Sequence, residues 1–415
     1  VIAMRILMIS HAADRTGAPI SALQLAREMI SLGHELTIIL RRDGELGEAY
    51  RETAPTHIWR DSPQFDLSDG LSTALRFDPL MAIKCVRSPD RPYCLGRQDR
   101  QRTTRLRQEI RNWKPDIIYA NTTHCGDVVD ELDLDTPIVT HVREMGPTIR
   151  ALDARRLKST MNKTDMFLCA SRSVMRDLSQ DFSVPDAKLR VEPPAVKITP
   201  EQMAVADAAR GDVNDDLKLG EPDTLIIGAG SLIPRKGPDL FVEAAKTALD
   251  RHDGAGRLVF AWLGDGEMMQ SLKHTVHEAG IESDVLFPGV KARPYAYFRR
   301  ASAVLITSRE DPYPRVAIEA GMLGVPVLAF ADGGGAADLV RNYEAGHLIA
   351  DFDAKAMGRD VSALVTASRT VDENLSKRVS RGHNPSASAS RIVALFESVA
   401  GTAHQTEPHK KATKP

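Results

Sequence analysis

The chain has 415 residues, too many for one typical domain, so two are expected. At 42% hydrophobic and 27% charged, with a formal net charge of −2, it has the composition of a soluble globular protein and gives no reason to expect nucleic acid as a partner. Four scattered cysteines (Cys85, Cys94, Cys125 and Cys169) form no CxxC pair, which argues against a disulfide framework or a zinc site and fits a reducing cytoplasm.

The run RILMIS (5–10) breaks at Ser10-His11, so it reads as a first strand and not as a signal peptide. Val1 to Ala3, ahead of Met4, read as an addition to the natural start. No run approaches the roughly 20 apolar residues of a membrane span, which leaves peripheral contact at the inner membrane face as the closest approach to lipid. Ile20 to Leu32 has helical spacing, with Gly33 placed as a C-cap. The strands ELTIIL (35–40), DIIYA (116–120), PIVTHV (137–142), DMFLCA (165–170) and KLRVEP (188–193) follow. Between them, the Arg-rich stretch 97–114 carries Leu106, Ile110 and Trp113 at helical spacing. It reads as a helix with a solvated basic face or as a surface for anionic lipid or acceptor. Asp133-Leu134-Asp135 spells DxD, a metal motif of a different transferase fold, but it sits in an acidic loop after a helix and no metal is expected there.

From Ile198 to Asp223 strand character vanishes, and the domain boundary is placed there. The pattern then restarts with TLIIGAG (224–230), a helix from about Pro238 to Asp250, RLVFAWLG (257–264), DVLFPG (284–289), AVLITS (303–308) and PVLAFA (326–331). The expected division is an N-terminal domain 1–200, a second domain 201–385, a helix 386–402 packing back toward the first domain, and a disordered tail 403–415. This alternation predicts an α/β protein of two Rossmann-like, doubly wound domains facing across a deep cleft. Ligands of such sheets bind beyond the carboxyl ends of the strands, in the loops 10–18, 140–146, 230–237 and 308–315.

GAGSLIPRKGPDLF (228–241) is strand, glycine-bearing loop and helix start, with Arg235 and Lys236 at the turn. Glycines admit close backbone approach and a helix N-terminus attracts anions, so the loop reads as a phosphate site or as a turn with solvated cations. WLGDGE (262–267) places Gly264 in a second such turn, and neither loop is a P-loop or a full GxGxxG. In SREDPYPRVAIEAGMLGVPVLAF (308–330), Asp311 and Glu319 are separated by seven residues, and the prolines place a helix start near Pro314. A carboxylate among Val316, Ala317, Ile318 and Ala320 is costly unless hydrogen-bonded. The adjacent hydroxyls of a ribose are one partner for Glu319; a neighbouring backbone or an Arg is the other.

D-PYPRVAI-E-AGMLGVPVLA, ADGGGAADLV, PRKGPD, TGAP, GHELTIIL and THVRE together resemble the retaining nucleotide-sugar glycosyltransferases of family 4, which have the GT-B fold. The resemblance runs over nearly the whole chain. It implies that Lys236 with Arg235 holds the donor diphosphate, that Glu319 binds ribose hydroxyls, and that Asp311 contacts the donor sugar. Glu310 competes for that contact, and backbone amides of Tyr313, Pro314-Arg315 and Val316 lie nearby. It further implies that His141 stands near the anomeric centre, that Gly17, Ser231 and Gly264 approach the donor, and that Arg143 and Glu144 meet the acceptor. The chain departs from the family pattern at Asp311, where Glu is usual, at Ser231, where Arg is frequent, and at VEPPAV, where Asn-Gly is usual.

The implied activity is metal-independent transfer of a hexosyl group from a UDP- or GDP-linked sugar to a glycan, glycolipid or small-molecule hydroxyl, with no cofactor beyond the donor. Loops around 11–19 and 60–105 are expected to choose the acceptor. Two rivals remain: a nucleotide-sugar epimerase, with His141 and Glu144 as acid and base, and a catalytically silent nucleotide-sugar or glycan-binding protein. Donor turnover separates the silent protein from the enzymes, and an acceptor requirement separates transferase from epimerase.

Overall fold

The computed structural model describes residues 3–59, 90–365 and 372–406. Residues 60–89, within the stretch assigned to acceptor choice, and 407–415, most of the expected tail, lie outside the described residues. The first sheet contains β1 (Arg5–Ser10), β2 (Glu35–Leu40), β3 (Thr56–Ile58), β4 (Ile117–Ala120), β5 (Ile138–Val142), β6 (Met166–Cys169) and β7 (Leu189–Val191). Their order is β3-β2-β1-β4-β5-β6-β7. The second sheet contains β8 (Thr224–Ala229), β9 (Leu258–Leu263), β10 (Val285–Gly289), β11 (Ala303–Ile306), β12 (Val327–Phe330) and β13 (Gly346–Ile349), in the order β10-β9-β8-β11-β12-β13. Every neighbouring pair in the second sheet is parallel.

Burial on both faces explains why the strands read as unbroken apolar runs. Along β8 and β9, Leu225, Ile227, Val259 and Ala261 belong to one core cluster, while the alternating Ile226, Leu258, Phe260 and Trp262 belong to another. In each sheet the chain order reverses beside the first strand, between β1 and β4 and between β8 and β11. In open α/β sheets, ligands bind beyond the strand ends at such a reversal.

By contacts the chain forms two compact units: Val1–His141 with Leu152–Phe167 and Val393–Pro415, and Val142–Ala151 with Leu168–Ile392. The stretch 198–223 holds no strand, as expected, but two helices, Pro200–Ala208 and Arg210–Leu217, the first opened by a Thr199–Gln202 capping box. β3 and β13 were not expected. They have three and four residues and are largely half-buried, so neither offers an apolar run. The closing helix is Pro385–Thr406, so 403–406, expected in the tail, are helical.

The Arg-rich stretch lies in the helix Asp90–Trp113, and its Leu106 and Ile110 are buried against Leu7, Ile9 and Ile39. Asp133 of the DxD stretch adopts a left-handed conformation (φ 48°) at the C-cap of the helix Gly126–Leu132, and its carboxylate pairs with Arg107 at 2.7 Å. Among the described residues, no helix is long and apolar enough to cross a membrane.

Candidate functional site

The site in the second unit starts from glycines. Gly264 has φ 153°, and a Cβ there would fall 2.0 Å from the Gly230 carbonyl oxygen, which also accepts from Trp262 Nε1 at 2.9 Å. The loops after β8 and β9 are thus stitched together, with Leu232 N donating to Asp265 O at 2.9 Å and Met268 N donating back to Leu232 O at 3.1 Å. Gly237 has φ 63°, and a Cβ there would lie 2.1 Å from Thr307 O. That close approach seats the 3₁₀ turn Pro234–Lys236 against the loop after β11, where Arg309 N donates to Arg235 O at 2.9 Å.

The turn delivers its cations to the carboxylate loop. Lys236 Nζ is ion-paired with Asp311 Oδ2, and Arg235 donates to the Glu310 carbonyl oxygen at 2.9 Å. Asp311 is 5% exposed, and its backbone is pinned on both sides: Asp311 N donates to Gly333 O and Gly335 N to Asp311 O, both at 3.0 Å. Gly334 (φ 115°) admits this approach, since a Cβ there would sit 1.9 Å from Asp311 O. The Glu310 side chain accepts from Thr148 Oγ1 at 3.1 Å, so it is engaged apart from Lys236.

Pro314 is the N-cap of the helix Arg315–Met322, whose first-turn amides have no side-chain cap. Glu319 lies one turn in, 8% exposed. Its Oε1 accepts from Arg315 Nε at 3.0 Å and from Tyr295 Oη at 3.3 Å. Burial pushes the Glu319 carboxyl above its ordinary value, with Arg315 and Tyr295 opposing. Burial and the Glu319 charge raise the Tyr295 phenol to about 12. Glu319 therefore meets an Arg, as one of its two sequence readings held.

Tyr313 offers a ligand only its main chain, because its ring is buried in the core. The Nδ1 of His383 lies 2.7 Å from Pro194 O, an acceptor, so Nδ1 carries the proton and Nε2 accepts from Tyr313 Oη at 3.3 Å. Burial lowers the His383 pKa to about 4, in keeping with that neutral tautomer. Val316 packs partly against the same core, and Ser231 is exposed. Glu144 is buried and turns back on its own segment, accepting from Arg143 N at 3.1 Å.

His141 and Gly17 belong to the first unit. His141, on β5, is 1% exposed, and its Nδ1 lies 2.8 Å from Tyr119 Oη. Asn121, just past β4, donates to Ala18 O at 3.0 Å. Gly17 opens the helix Gly17–Ser31, and a Cβ there would meet nothing within 4 Å, so internal packing does not demand glycine. Sequence reading missed Tyr295 and Tyr119, because each partners a residue more than 20 positions away and no short motif joins them.

The family model of the glycosyl transferases group 1 matches residues 211–381, and that of glycosyltransferase family 4 matches residues 15–199. Over 234 residues the chain is 26% identical to a GDP-mannose-dependent alpha-(1-6)-phosphatidylinositol monomannoside mannosyltransferase of Mycobacterium tuberculosis, covering 54% of this chain and 58% of that protein. Over 214 residues it is 29% identical to a D-inositol 3-phosphate glycosyltransferase of Nocardia farcinica, covering 50% and 46%. The chain thus spans about half the length of these curated relatives. Two solved structures share the fold: Anabaena Alr3699/HepE in complex with UDP (TM-score 0.64, 17% identity, 97% of this chain and 100% of that one) and a sucrose-phosphate synthase from Thermosynechococcus elongatus (TM-score 0.66, 18% identity, 96% and 100%). With both halves matched and the two-sheet fold shared, the chain belongs to the family 4 glycosyltransferases.

Proposed function

We propose that this chain transfers a hexosyl group from a UDP- or GDP-linked sugar to the hydroxyl of a glycan, glycolipid or small molecule, retaining the anomeric configuration and needing no metal or cofactor. One observation carries the reading: a cation-bearing turn, Arg235-Lys236, is locked by glycine contacts against Asp311 at the mouth of an uncapped helix that buries Glu319 one turn in. Cations and free amides suit a diphosphate, and a buried carboxylate suits a ribose.

In this reading Lys236 exchanges part of its pairing with Asp311 for the donor diphosphate, and Arg235 adds a second positive charge. Both stabilise the charge that grows on the leaving group. Asp311, released from exclusive contact with Lys236, accepts from a sugar hydroxyl. His141, oriented by Tyr119, contacts the donor sugar near its anomeric carbon. The bond from that carbon to the leaving phosphate oxygen breaks as the bond to the acceptor oxygen forms on the same face. The acceptor proton passes to the leaving diphosphate. A relative that uses GDP-mannose and a fold neighbour solved with UDP support testing both nucleotides.

The test is incubation with UDP- and GDP-hexoses and a panel of glycan and glycolipid acceptors, with and without EDTA, the product linkage being read by NMR. The reading expects acceptor-dependent nucleotide release, insensitivity to EDTA and an anomeric configuration equal to the donor's. An inverted linkage, or sugar interconversion without acceptor, would contradict it.

A further inference from the structure

Arg315 is the first residue of its helix and lies one turn ahead of Glu319 on the same face. Its Nε donates to Glu319 Oε1, and Tyr295 donates to that same oxygen. Among the described residues no hydrogen bond falls on Oε2. Nη1 of Arg315 is buried and has no hydrogen-bond partner, although the side chain as a whole retains 26% exposure. A buried guanidinium N–H without a partner is rare enough in folded proteins to need an explanation. Nε holds the guanidinium on the carboxylate, and Nη1 is the terminal nitrogen left over. A guanidinium paired with a carboxylate, each with bonding capacity left over, is the complement of two neighbouring hydroxyls, since one hydroxyl can donate to the carboxylate while the other accepts from the guanidinium.

We propose that Arg315 is a ligand-contacting, specificity-determining residue: it supplies the donor half of a ribose-diol site whose acceptor half is Glu319. This inference rests on the nucleotide-sugar reading above and assigns a second side chain to the same ribose. The guanidinium meets Glu319 through Nε, with Nη1 buried. When one ribose hydroxyl takes Oε2, the guanidinium turns about its bond to Glu319 and gives the unpartnered N–H to the other hydroxyl. Tyr295 holds Oε1 throughout. A lysine at this position can keep the charge beside Glu319 but cannot present a second N–H at the fork angle.

The experiment measures binding of UDP, GDP and ADP, and of the 2′-deoxy and 3′-deoxy forms of whichever nucleotide binds, to the wild type, Arg315→Met, Arg315→Lys and Glu319→Ala. The wild type should bind the ribonucleotide about tenfold or more tightly than either deoxy form, the usual scale for a hydrogen bond to a charged group. In both Arg315 variants the ribonucleotide should weaken about tenfold, and one of the two deoxy forms should then bind as well as the ribonucleotide. Arg315→Lys leaves a cation for the buried carboxylate, so the same loss of discrimination in that variant excludes simple collapse of Glu319. If the Arg315 variants weaken all three forms equally, or leave all three unchanged, the assignment of Arg315 to the ribose is overturned. If the wild type does not discriminate and Glu319→Ala binds normally, the ribose reading itself fails, which is a different pattern.

Discussion

Where β8 and β11 part, two carboxylates are buried beside the hydroxyl-bearing Thr307 and Ser308. Asp311 and Glu319 are both buried, and each is held by a cation, Lys236 and Arg315. Where β1 and β4 part, in a sheet with the same reversal of strand order, the buried polar groups include a phenol, an imidazole and a carboxamide, Tyr119, His141 and Asn121, and a carboxylate, Asp127, is shared by two arginines, Arg41 and Arg156. The two regions thus differ in balance: the second unit pairs each buried carboxylate with one cation, and the first sets a phenol, an imidazole and a carboxamide beside a carboxylate that two arginines share. Paired ions suit a ligand that brings its own charge and can replace one partner. Hydrogen-bonded phenol, imidazole and carboxamide groups suit hydroxyls. The contrast matches the proposed division between a nucleoside diphosphate and the sugar it carries.

The strongest way to break the comparison is Lys236→Met. It removes the charge offered to the diphosphate and leaves Asp311 buried without its cation. Transfer should fall by about 10²–10³-fold, on the scale of losing one group that stabilises transition-state charge. Steady-state rates check this, and a fall below about threefold would place the diphosphate elsewhere. Tyr119→Phe probes the first unit. It removes the phenol beside His141 Nδ1 while keeping the ring, so transfer should fall about tenfold with nucleotide affinity unchanged. Loss of nucleotide affinity in that variant would erase the distinction between the two regions.

A pH profile probes the second unit. Burial raises the Glu319 pKa above 4.5, so the folded protein binds the proton more tightly than the unfolded chain. The sign follows: the folded state loses stability as pH rises from 4.5 through the folded pKa. Glu319→Gln, which stays neutral, should melt at or above the wild-type temperature at pH 7, and the gap should close near pH 4.5. A lower melting temperature for the variant at pH 7 would mean that Arg315 more than offsets the burial. The smallest effect is expected far from both regions. Asp133→Asn removes a largely exposed ion pair with Arg107, so stability should change by less than about 1 kcal/mol and transfer not at all.

Most strands could be read from sequence because those buried on both faces are written as apolar runs; β7, only three residues and largely exposed, was read from KLRVEP, and β3 and β13 were not read. Those two are short and half-buried, so composition carries no trace of them. At the site, Asp311, Glu319, Arg235 and Lys236 were legible because their motifs are local. What holds them was not. Tyr295 reaches Glu319 from the helix Pro294–Arg300, and the glycines at 333–335 pin Asp311 across strands, contacts that only the folded chain creates. The stretch 198–223 shows the opposite limit. Its lack of strand character was plain, yet its two helices were hidden by scattered Gly, Pro and Asp.

The central claim is that the second unit holds a nucleotide through Glu319. Its most direct test is the thermal shift of the wild type and Glu319→Ala against UDP, GDP, ADP and their sugars, in buffer containing EDTA. One nucleotide family should raise the melting temperature of the wild type, and the variant should lose that rise. No shift with any nucleotide, or an equal shift in the variant, would contradict the claim.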